Sequence, residues 1–320
     1  MAYTTTGSVS YDQAAYDLLA RYAYRPELYF DRWADVRSTN ATSRGSSVTF
    51  FQQADMAVAT TPLTEDVDVT PVALSNTSVT VTLAEYGNAT VTTARLKASS
   101  VLEIDPIAAN VIGYNAGISM DTVAGNVMAA GTNVSYAGTA TSRTTIAATG
   151  DTLTSALVRR QYAYLRAANV PTFEGGMYVA MIHPNVAYDL KSETGEVGWR
   201  APQVYGASQA NIANGEIGAY EGFRFIVSPR APEFLNASDN AGGAGPIDVY
   251  RSLFFGREAM AKAYSTGGGY GPDPVVVRGE VTDVLRRFTP IGWKHFVGYS
   301  TFRADALRAV ESASSIATNV

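Results

Sequence analysis

Cysteine is absent from the 320-residue sequence, and its absence excludes several kinds of site. Disulfides, thiolate metal sites and cysteine nucleophiles all need a thiol, and we expect folding in a reducing cytoplasm. Histidine is almost as rare, since His183 and His295 are the only copies. Neither belongs to an H-E-x-x-H pair, and no G-x-S-x-G elbow occurs, so a histidine-based metal site or catalytic triad is not predicted. We expect no metal, no cofactor and no catalytic residue.

Long apolar runs and an excess of positive charge are also missing. No stretch of 18 apolar residues occurs, so a membrane span is not predicted. The N-terminus lacks a basic segment followed by an apolar block, so no secretory signal is predicted. The formal charge of -5 argues against a protein that clamps nucleic acid, because such proteins concentrate lysine and arginine to neutralise phosphates.

The stretch GEIGAYEGFRFIVSP, residues 215–229, contains glycines that raise the question of phosphate binding. A dinucleotide-binding loop follows a strand and opens a helix, whereas Gly215, Gly218 and Gly222 precede their strand and have a different spacing. No G-x-x-x-x-G-K-[ST] sequence is present either. We therefore interpret these glycines as structural turns, because glycine adopts positive φ without strain.

Residues 1–44 are rich in aromatic side chains and predict short helical pieces broken at Arg25-Pro26. Two interpretations are open. The segment packs on the core of its own chain, or it forms an arm that crosses onto a neighbouring subunit, since aromatic residues and arginine are enriched at interfaces. We predict the arm, poorly ordered before assembly, with Tyr22, Tyr29 and Trp33 as inter-subunit contacts.

Residues 46–94 alternate apolar and polar side chains, which predicts β-strands, with a turn at Tyr86-Gly87-Asn88. The intervening stretch ATTPLTEDVDVTPVALSN contains prolines and acids but no basic residue. Such a stretch has little with which to build a core, so we predict a long projecting hairpin or loop. Its acidic residues are expected to meet basic groups of an adjacent subunit: Glu65, Asp66 and Asp68.

Two helices are predicted in the middle of the chain. Asp105-Pro106 begins the longer one, because aspartate is a good N-cap and proline is favoured at the first helical position. Apolar residues at spacings of three and four carry it to Ala129: Ile107, Val111, Tyr114 and Ile118, then Met120, Val123, Val127 and Met128. The second runs from Asp151 or Thr152 to Pro171 and has its own predicted apolar side: Leu153, Leu157, Tyr164 and Ala168.

The C-terminal half predicts strands and short helices. GGMYVAMIHP is a continuous apolar run typical of a strand buried on both faces, and Pro184 begins a short helix. GFRFIVSP predicts a further strand. EVTDVLRRF and IGWKHFVGYSTF predict two strands separated by Thr289-Pro290, the second with a core-facing stripe from Ile291 to Tyr299. ADALRAVESAS predicts a tail helix.

This arrangement resembles the major capsid proteins of tailed bacteriophages with the Hong Kong 97-type fold, most closely the branch related to phage N-four. Five stretches in order over most of the chain carry the resemblance: PLTEDVDVTPVALSNTSVTVTLAEYGNA, YAGTATSRTTI, YVAMIHPNVAYDL, GEIGAYEGFRFIVSP and IGWKHFVGYSTFRADALRAVES.

The resemblance implies an α+β fold of five parts. We expect an N-terminal arm, an extended loop hairpin, a peripheral domain with a long spine helix, an axial domain, and a return to the peripheral domain with a C-terminal tail. The expected bounds, in the same order, are residues 1–44, 45–96, 97–172, 173–280 and 281–320. The glycines at 215, 218 and 222 would then be turns of the axial domain.

The resemblance also implies a structural protein and not an enzyme. We expect pentamers and hexamers of this chain to form an icosahedral head shell around double-stranded DNA, assembled in the host bacterial cytoplasm. Expected partners are a portal protein and, in some systems, separate scaffolding and decoration proteins, with DNA enclosed without specific binding and no membrane. Two alternatives stay open: a β-rich tail-tube or adhesion protein, which would not need the long capped helix, and a hydrolase whose site has no recognisable motif.

Overall fold

The computed structural model describes most of the chain from Tyr29 to Ile316. The described residues are 29–39, 46–53, 56–63, 65–66, 68–100, 104–173, 175–193, 216–240, 243, 245–279, 283–285 and 287–316. Within them the chain forms two larger sheets, a two-stranded hairpin and four α-helices. The mixture of many strands and few helices confirms the predicted α+β class.

The elements alternate irregularly along the chain. The strands are β1 (Asp35–Thr39), β2 (Ser47–Gln53), β3 (Asn76–Thr82), β4 (Ala84–Thr93), β5 (Val134–Tyr136), β6 (Tyr178–Ile182), β7 (Glu216–Tyr220), β8 (Phe223–Val227), β9 (Glu233–Ser238), β10 (Ile247–Phe255), β11 (Met260–Ser265), β12 (Val275–Arg278), β13 (Phe288–Thr301) and β14 (Leu307–Ser312). The helices are α1 (Ala94–Ser99), α2 (Ile104–Ala129), α3 (Ser155–Ala167) and α4 (Pro184–Ser192). Single 3-10 turns occur at Asp31–Trp33, Arg143–Thr145 and Ala304–Ala306.

The first sheet has the strand order β1-β11-β13-β12, with β4 also paired to β13. Alternate residues of β13 are buried, from Ile291 through Trp293 to Val297. They pack against Ile112 and Met120 of α2, which therefore covers one face of this sheet. We call this side the helix face and the opposite side the open face. The predicted core-facing stripe of β13 is confirmed.

Helix α2 confirms the predicted long helix, but only part of its apolar pattern is buried. Met120 and Met128 of that pattern are buried, whereas Ile107, Val111 and Tyr114 are 48%, 61% and 47% exposed. The buried side consists largely of small residues: Ala109, Ile112, Gly113, Ala116, Gly117, Met120, Asp121, Ala124, Gly125 and Met128. Small residues allow close packing, and the ring of Phe30 lies 3.1 Å from the position a Cβ of Gly125 would take. Apolar residues surround the helix, so their spacing alone does not identify its buried side.

The second sheet has the order β5-β14-β10-β6-β8-β7, with β9 paired to β10. Every residue of β6 and β10 is buried, which confirms the strand predicted from GGMYVAMIHP. Helices α3 and α4 contribute Val158, Leu165 and Leu190 to the core around this sheet. This core is the largest in the described residues and also receives Phe30 from the N-terminal segment.

The predicted tail helix is wrong, because ADALRAVESAS forms a 3-10 turn and then β14. Strand β14 pairs antiparallel with β10, from Leu307 opposite Phe255 to Ser312 opposite Tyr250, and parallel with β5. Five of its six residues are buried. Helix-forming residues are common in this stretch, but pairing with two distant strands outweighs that weak local preference.

Three other local predictions need correction. Asp283–Leu285 forms a turn and not a strand, and Pro290 lies inside β13 instead of before it. Residues 86–88 continue β4 instead of turning, because they pair with residues 293–295 of β13. A Cβ on Gly87 would lie 2.7 Å from the carbonyl oxygen of Trp293. Glycine there permits close strand pairing. Helix α3 starts at Ser155, later than predicted, because the Asp151 carboxylate instead accepts hydrogen bonds from the backbone N–H groups of residues 139 and 147.

The helices of the described residues give no sign of a membrane span. None of them combines the length and apolar character that crossing a bilayer requires.

Candidate functional site

The β2–β3 hairpin carries the segment that was predicted to project. Its strands pair antiparallel over their whole length, from Ser47 opposite Thr82 to Gln53 opposite Asn76. We call the connection between them, residues 54–75, the extended loop. Every described residue from 56 to 75 is exposed. The projecting loop is confirmed, and the chain's own fold does not bury it.

The acidic residues of the extended loop lie near its middle and are exposed. Asp68 accepts a hydrogen bond from the backbone N–H of Val69 at 2.8 Å, a local contact within the loop. Among the described residues, neither Glu65 nor Asp66 nor Asp68 forms a salt bridge. Their negative charge is therefore free to meet another molecule, and contact with an adjacent subunit stays a prediction.

The extended loop also exposes large apolar side chains. Their exposed fractions are 55% for Met56, 84% for Val58, 78% for Leu63, 56% for Val69, 64% for Val72 and 75% for Leu74. Apolar side chains that are exposed singly are normal, but a group of this kind on one segment marks an interaction surface. The loop thus combines negative charge with uncovered apolar area.

The described part of the N-terminal segment packs on its own chain. Phe30 is 1% exposed, the Trp33 ring lies 4.9 Å from the ring of Phe173, and β1 pairs in parallel with β11. From Phe30 onwards, the expectation of an arm with little order before assembly is wrong, because its aromatic rings fill space in the core. Tyr29 and Trp33 keep partly exposed surface, so a further contact with a neighbour stays a prediction. Tyr22 lies outside the described residues.

A buried charge cluster fixes this segment to the first sheet and to α2. Asp31 accepts a hydrogen bond from Lys262 Nζ at 2.7 Å through Oδ2, and one from the Tyr299 hydroxyl at 2.6 Å through Oδ1. Asp121 of α2 accepts hydrogen bonds from the backbone N–H groups of Tyr29 and Phe30 at 2.8 and 2.7 Å. Sequence reasoning missed this cluster, since its partners are 91 to 268 residues apart in the chain.

Burial shifts the ionisation of two groups at this anchor. Desolvation raises the pKa of Asp121, although the backbone N–H groups and Arg230 oppose the shift. Desolvation, and then the charge of Lys262, lower the pKa of His295 to about 4. Neither ring nitrogen of His295 has a hydrogen-bond partner among the described residues. The imidazole is therefore a neutral core group at physiological pH.

A second buried charge holds β14 in place. Glu311 is fully buried and accepts hydrogen bonds from Arg143 Nε at 3.0 Å and from Arg251 Nε at 2.8 Å. The pKa of Arg143 is raised, chiefly by its hydrogen bond with Glu311. This ion cluster joins residues from three separate parts of the chain and serves the fold.

The glycines of the 215–229 stretch have structural roles. Gly222, at φ 80°, follows Glu221, at φ 49°, in the two-residue turn between β7 and β8. Gly218, at φ 136°, lies within β7 where its register with β8 shifts, so it forms a bulge and not the predicted turn. A strand follows the turn, which does not fit a phosphate-binding loop. Gly215 lies outside the described residues.

The two histidines do not form a chemical site. His183 Nδ1 accepts a hydrogen bond from the backbone N–H of Asn185 at 3.3 Å and so caps α4. Within the described ranges, no group of three histidine or acidic side chains is arranged to hold a metal ion. The outstanding functional feature is therefore the uncovered surface of the extended loop.

Comparison with known proteins agrees with a structural role. The family model described as phage capsid protein matches residues 35–316 of this sequence. The chain belongs to this family. No curated protein matches the sequence.

Solved phage capsids have the same fold as this capsid protein. The capsid of Ralstonia phage GP4 is similar with a TM-score of 0.73 and 17% identity, over 91% of this chain and 92% of that one. The cyanophage Pam1 capsid is similar with a TM-score of 0.66 and 15% identity, over 93% of each chain. The head structure of Helicobacter pylori bacteriophage KHP40 is similar with a TM-score of 0.62 and 13% identity, over 87% of this chain and 88% of that one.

These similarities identify the fold as the Hong Kong 97 type and the chain as a tailed-phage major capsid protein. The proteins that it resembles are structural components of capsids and not enzymes. The predicted capsid family, fold class and non-enzymatic role are confirmed, whereas the branch related to phage N-four stays a prediction. The virion head is where proteins of this kind act.

Proposed function

We propose that this chain assembles with copies of itself into pentamers and hexamers that close into an icosahedral shell around packaged double-stranded DNA. The observation that carries the proposal is the extended loop, whose described residues are all exposed and which is acidic at its middle and rich in uncovered apolar side chains. A single folded chain gains nothing from such a segment, whereas a lattice of copies can bury it many times over. Weak contacts suffice when each copy makes several of them.

Each part of the chain has its own role in the proposed assembly. Residues 97–172 and 281–320 are assigned to the peripheral domain, with α2 as its spine, and residues 173–280 to the axial domain. The extended loop within residues 45–96 reaches a neighbour, and residues 1–44 contribute through Tyr22, Tyr29 and Trp33. Portal, scaffolding and decoration proteins are proposed partners. Synthesis and assembly in the host cytoplasm agree with a chain that has no cysteine.

The net charge suits a container for DNA. The chain carries a formal charge of -5, so it has no general excess of positive charge with which to hold phosphates. DNA can then enter and leave an enclosed space without adhering to its wall.

The experiment is electron microscopy of negatively stained particles formed by the purified chain. Closed shells support the proposal, whereas stacked rings would favour a tail-tube protein and stable monomers would refute self-assembly. A charge-reversed variant, Glu65→Lys with Asp66→Lys and Asp68→Lys, should fold normally by circular dichroism but fail to assemble. Asp305→Lys is a control at an exposed acid elsewhere and should assemble. Normal particles from the triple variant would show that these three acids do not contribute to the interface.

A further inference from the structure

A cleft of about 620 Å³ lies where the N-terminal segment meets the second sheet. Four parts of the chain line it: the 3-10 turn that leads into β1, the loop that leads into β6, strand β8, and the turn between β10 and β11. Arg32, Asp35 and Arg257 line the cleft and are exposed, so it is open to solvent. Its volume lies within the range of about 300–1,000 Å³ that is typical of ligand sites. We call it the arginine cleft.

The arginine cleft has more positive than negative charge to offer a ligand. Its lining includes three guanidinium groups: Arg32, Arg224 and Arg257. Neither Arg32 nor Arg257 forms a salt bridge within the described residues. Of the two acids in the lining, Glu258 already lies 3.9 Å from Arg303, which leaves Asp35 as the one that has no ion pair in the described part of the chain. A cation-lined cleft in a chain whose formal charge is -5 indicates a specific anionic partner at this place.

Aromatic side chains also line the arginine cleft and leave one donor without an acceptor. The rings of Trp33 and Phe173 pack edge to face, with centroids 4.9 Å apart, and both side chains keep partly exposed surface. The indole Nε1 of Trp33 is buried and has no hydrogen-bond partner among the described residues. A buried N–H group that lacks an acceptor destabilises the structure. A ligand oxygen in the cleft can supply the acceptor.

We propose that the arginine cleft binds a short acidic segment of a separate protein, in which Glu or Asp lies beside an aromatic or aliphatic side chain. The carboxylate meets the guanidinium groups, where hydrogen bonds between opposite charges are strong. The apolar side chain packs on Trp33 and Phe173, and a backbone carbonyl accepts a hydrogen bond from the indole N–H. Such a segment would connect the N-terminal segment to the turn between β10 and β11.

The lining favours a peptide over nucleic acid. Asp35 and Glu258 would repel a row of phosphates, because like charges that face each other across an interface are unfavourable. A peptide instead brings backbone N–H groups, from which these carboxylates can accept hydrogen bonds. A peptide therefore suits both signs of charge in the cleft as well as its aromatic rings.

Calorimetric titration of the dilute full-length chain tests the site. The probes are acetylated and amidated peptides in which Glu or Asp lies directly before or after Phe, Trp or Leu, with glycine on both sides. Matched peptides carry Lys instead of the acid, or Ala instead of the apolar residue. At least one acidic probe should bind saturably with a Kd of about 1 mM or lower, and its matched peptides should bind more weakly.

Variants of exposed or partly exposed residues place the binding in the cleft. Arg257→Gln should weaken the acidic probe about tenfold or more, because a hydrogen bond to a charged group is lost. Trp33→Phe keeps an aromatic ring but removes the indole N–H, so it should also weaken binding. Arg160→Gln changes an exposed arginine of α3 outside the cleft and should bind as the wild type does. Circular dichroism checks that each variant is folded.

Several results would overturn the proposal. One is the lack of saturable binding by any acidic probe, and another is equal binding by Arg257→Gln and the wild type. Displacement of the probe by inorganic phosphate or a DNA duplex at lower concentration would identify a phosphate site instead. Binding to free subunits but not to closed particles would show that a neighbouring copy fills the cleft. The titration of free subunits does not depend on self-assembly, so the cleft and the proposed function can fail separately.

Discussion

Acid should destabilise the unassembled subunit through one buried histidine. His295 is fully buried in the first sheet, and its pKa is lowered from 6.5 to about 4 by desolvation and by the charge of Lys262. The unfolded chain therefore binds a proton before the folded chain does. The stabilising effect of the neutral imidazole is present above pH 6.5 and is lost as pH falls towards 4.

The size of the effect follows from that difference in pKa. Each pKa unit corresponds to about 1.4 kcal/mol, so a shift from 6.5 to about 4 corresponds to roughly 3 kcal/mol at full protonation. The raised pKa of Asp121 acts in the opposite direction, because protonation of that carboxyl favours the folded state. A comparison of two chains that both keep Asp121 cancels its contribution.

The measurement is urea unfolding of the dilute, unassembled subunit between pH 7 and pH 4. His295→Leu should have similar stability at pH 7, because the ring nitrogens that it removes have no partner in the described residues. It should then gain up to about 3 kcal/mol over the wild type as pH falls from 6.5 to 4. His183→Asn, which keeps a capping side chain on α4, should leave most of the pH dependence in place. A constant difference between His295→Leu and wild type across this range would refute the reasoning.

Three further outcomes are expected. Gly222→Ala should lower the free energy of unfolding, measured by urea titration, by about 1 kcal/mol or more, because residue 222 has a positive φ and its Cβ would lie 2.3 Å from the Tyr162 ring. Unchanged stability would contradict this. Lys262→Met should lower the free energy of unfolding by about 3–5 kcal/mol, because it leaves Asp31 buried without its cation. Adding Asp31→Asn should recover much of that loss in a double-mutant cycle, and equal losses in both variants would argue against the pair. Deleting residues 1–40 should unfold the chain because it removes Phe30 and β1, whereas deleting residues 1–28 should leave a cooperative thermal transition. If the 1–40 deletion variant still folds, Phe30 and β1 are not needed for the fold.

Local signals in the sequence predicted the elements whose structure depends on local chemistry. The long helix α2, the buried run of β6 and the alternating stripe of β13 all lie where they were expected, although α2 begins at Ile104 and so includes Asp105, the predicted N-cap, in its first turn. The extended loop was predicted because it lacks apolar runs and basic residues, and its acids are exposed as expected. The capsid resemblance supplied the fold that these elements make together.

What local signals missed depends on partners far away in the chain. β14 was predicted as a helix because nothing within ADALRAVESAS reveals that β10 and β5 will flank it. The buried side of α2 could not be read from its apolar spacing, because that side consists largely of small residues, whereas periodicity counts only apolar ones. The Asp31–Lys262 pair joins residues 231 positions apart. Residue spacing in the sequence predicts contacts only between near neighbours, so the buried charge cluster that fixes the N-terminal segment was not predicted.

The order of strands has a consequence for biosynthesis. β13 links β11, β12 and β4 in the first sheet, and β14 joins β5 to β10 in the second, yet both follow all of these partners in the chain. During translation neither sheet can close until these two strands have left the ribosome. If the chain assembles as we propose, nascent chains would stay incompetent for lattice growth until that point. A prematurely terminated fragment that lacks β13 and β14 would have no completed sheet with which to enter a shell and disturb its curvature.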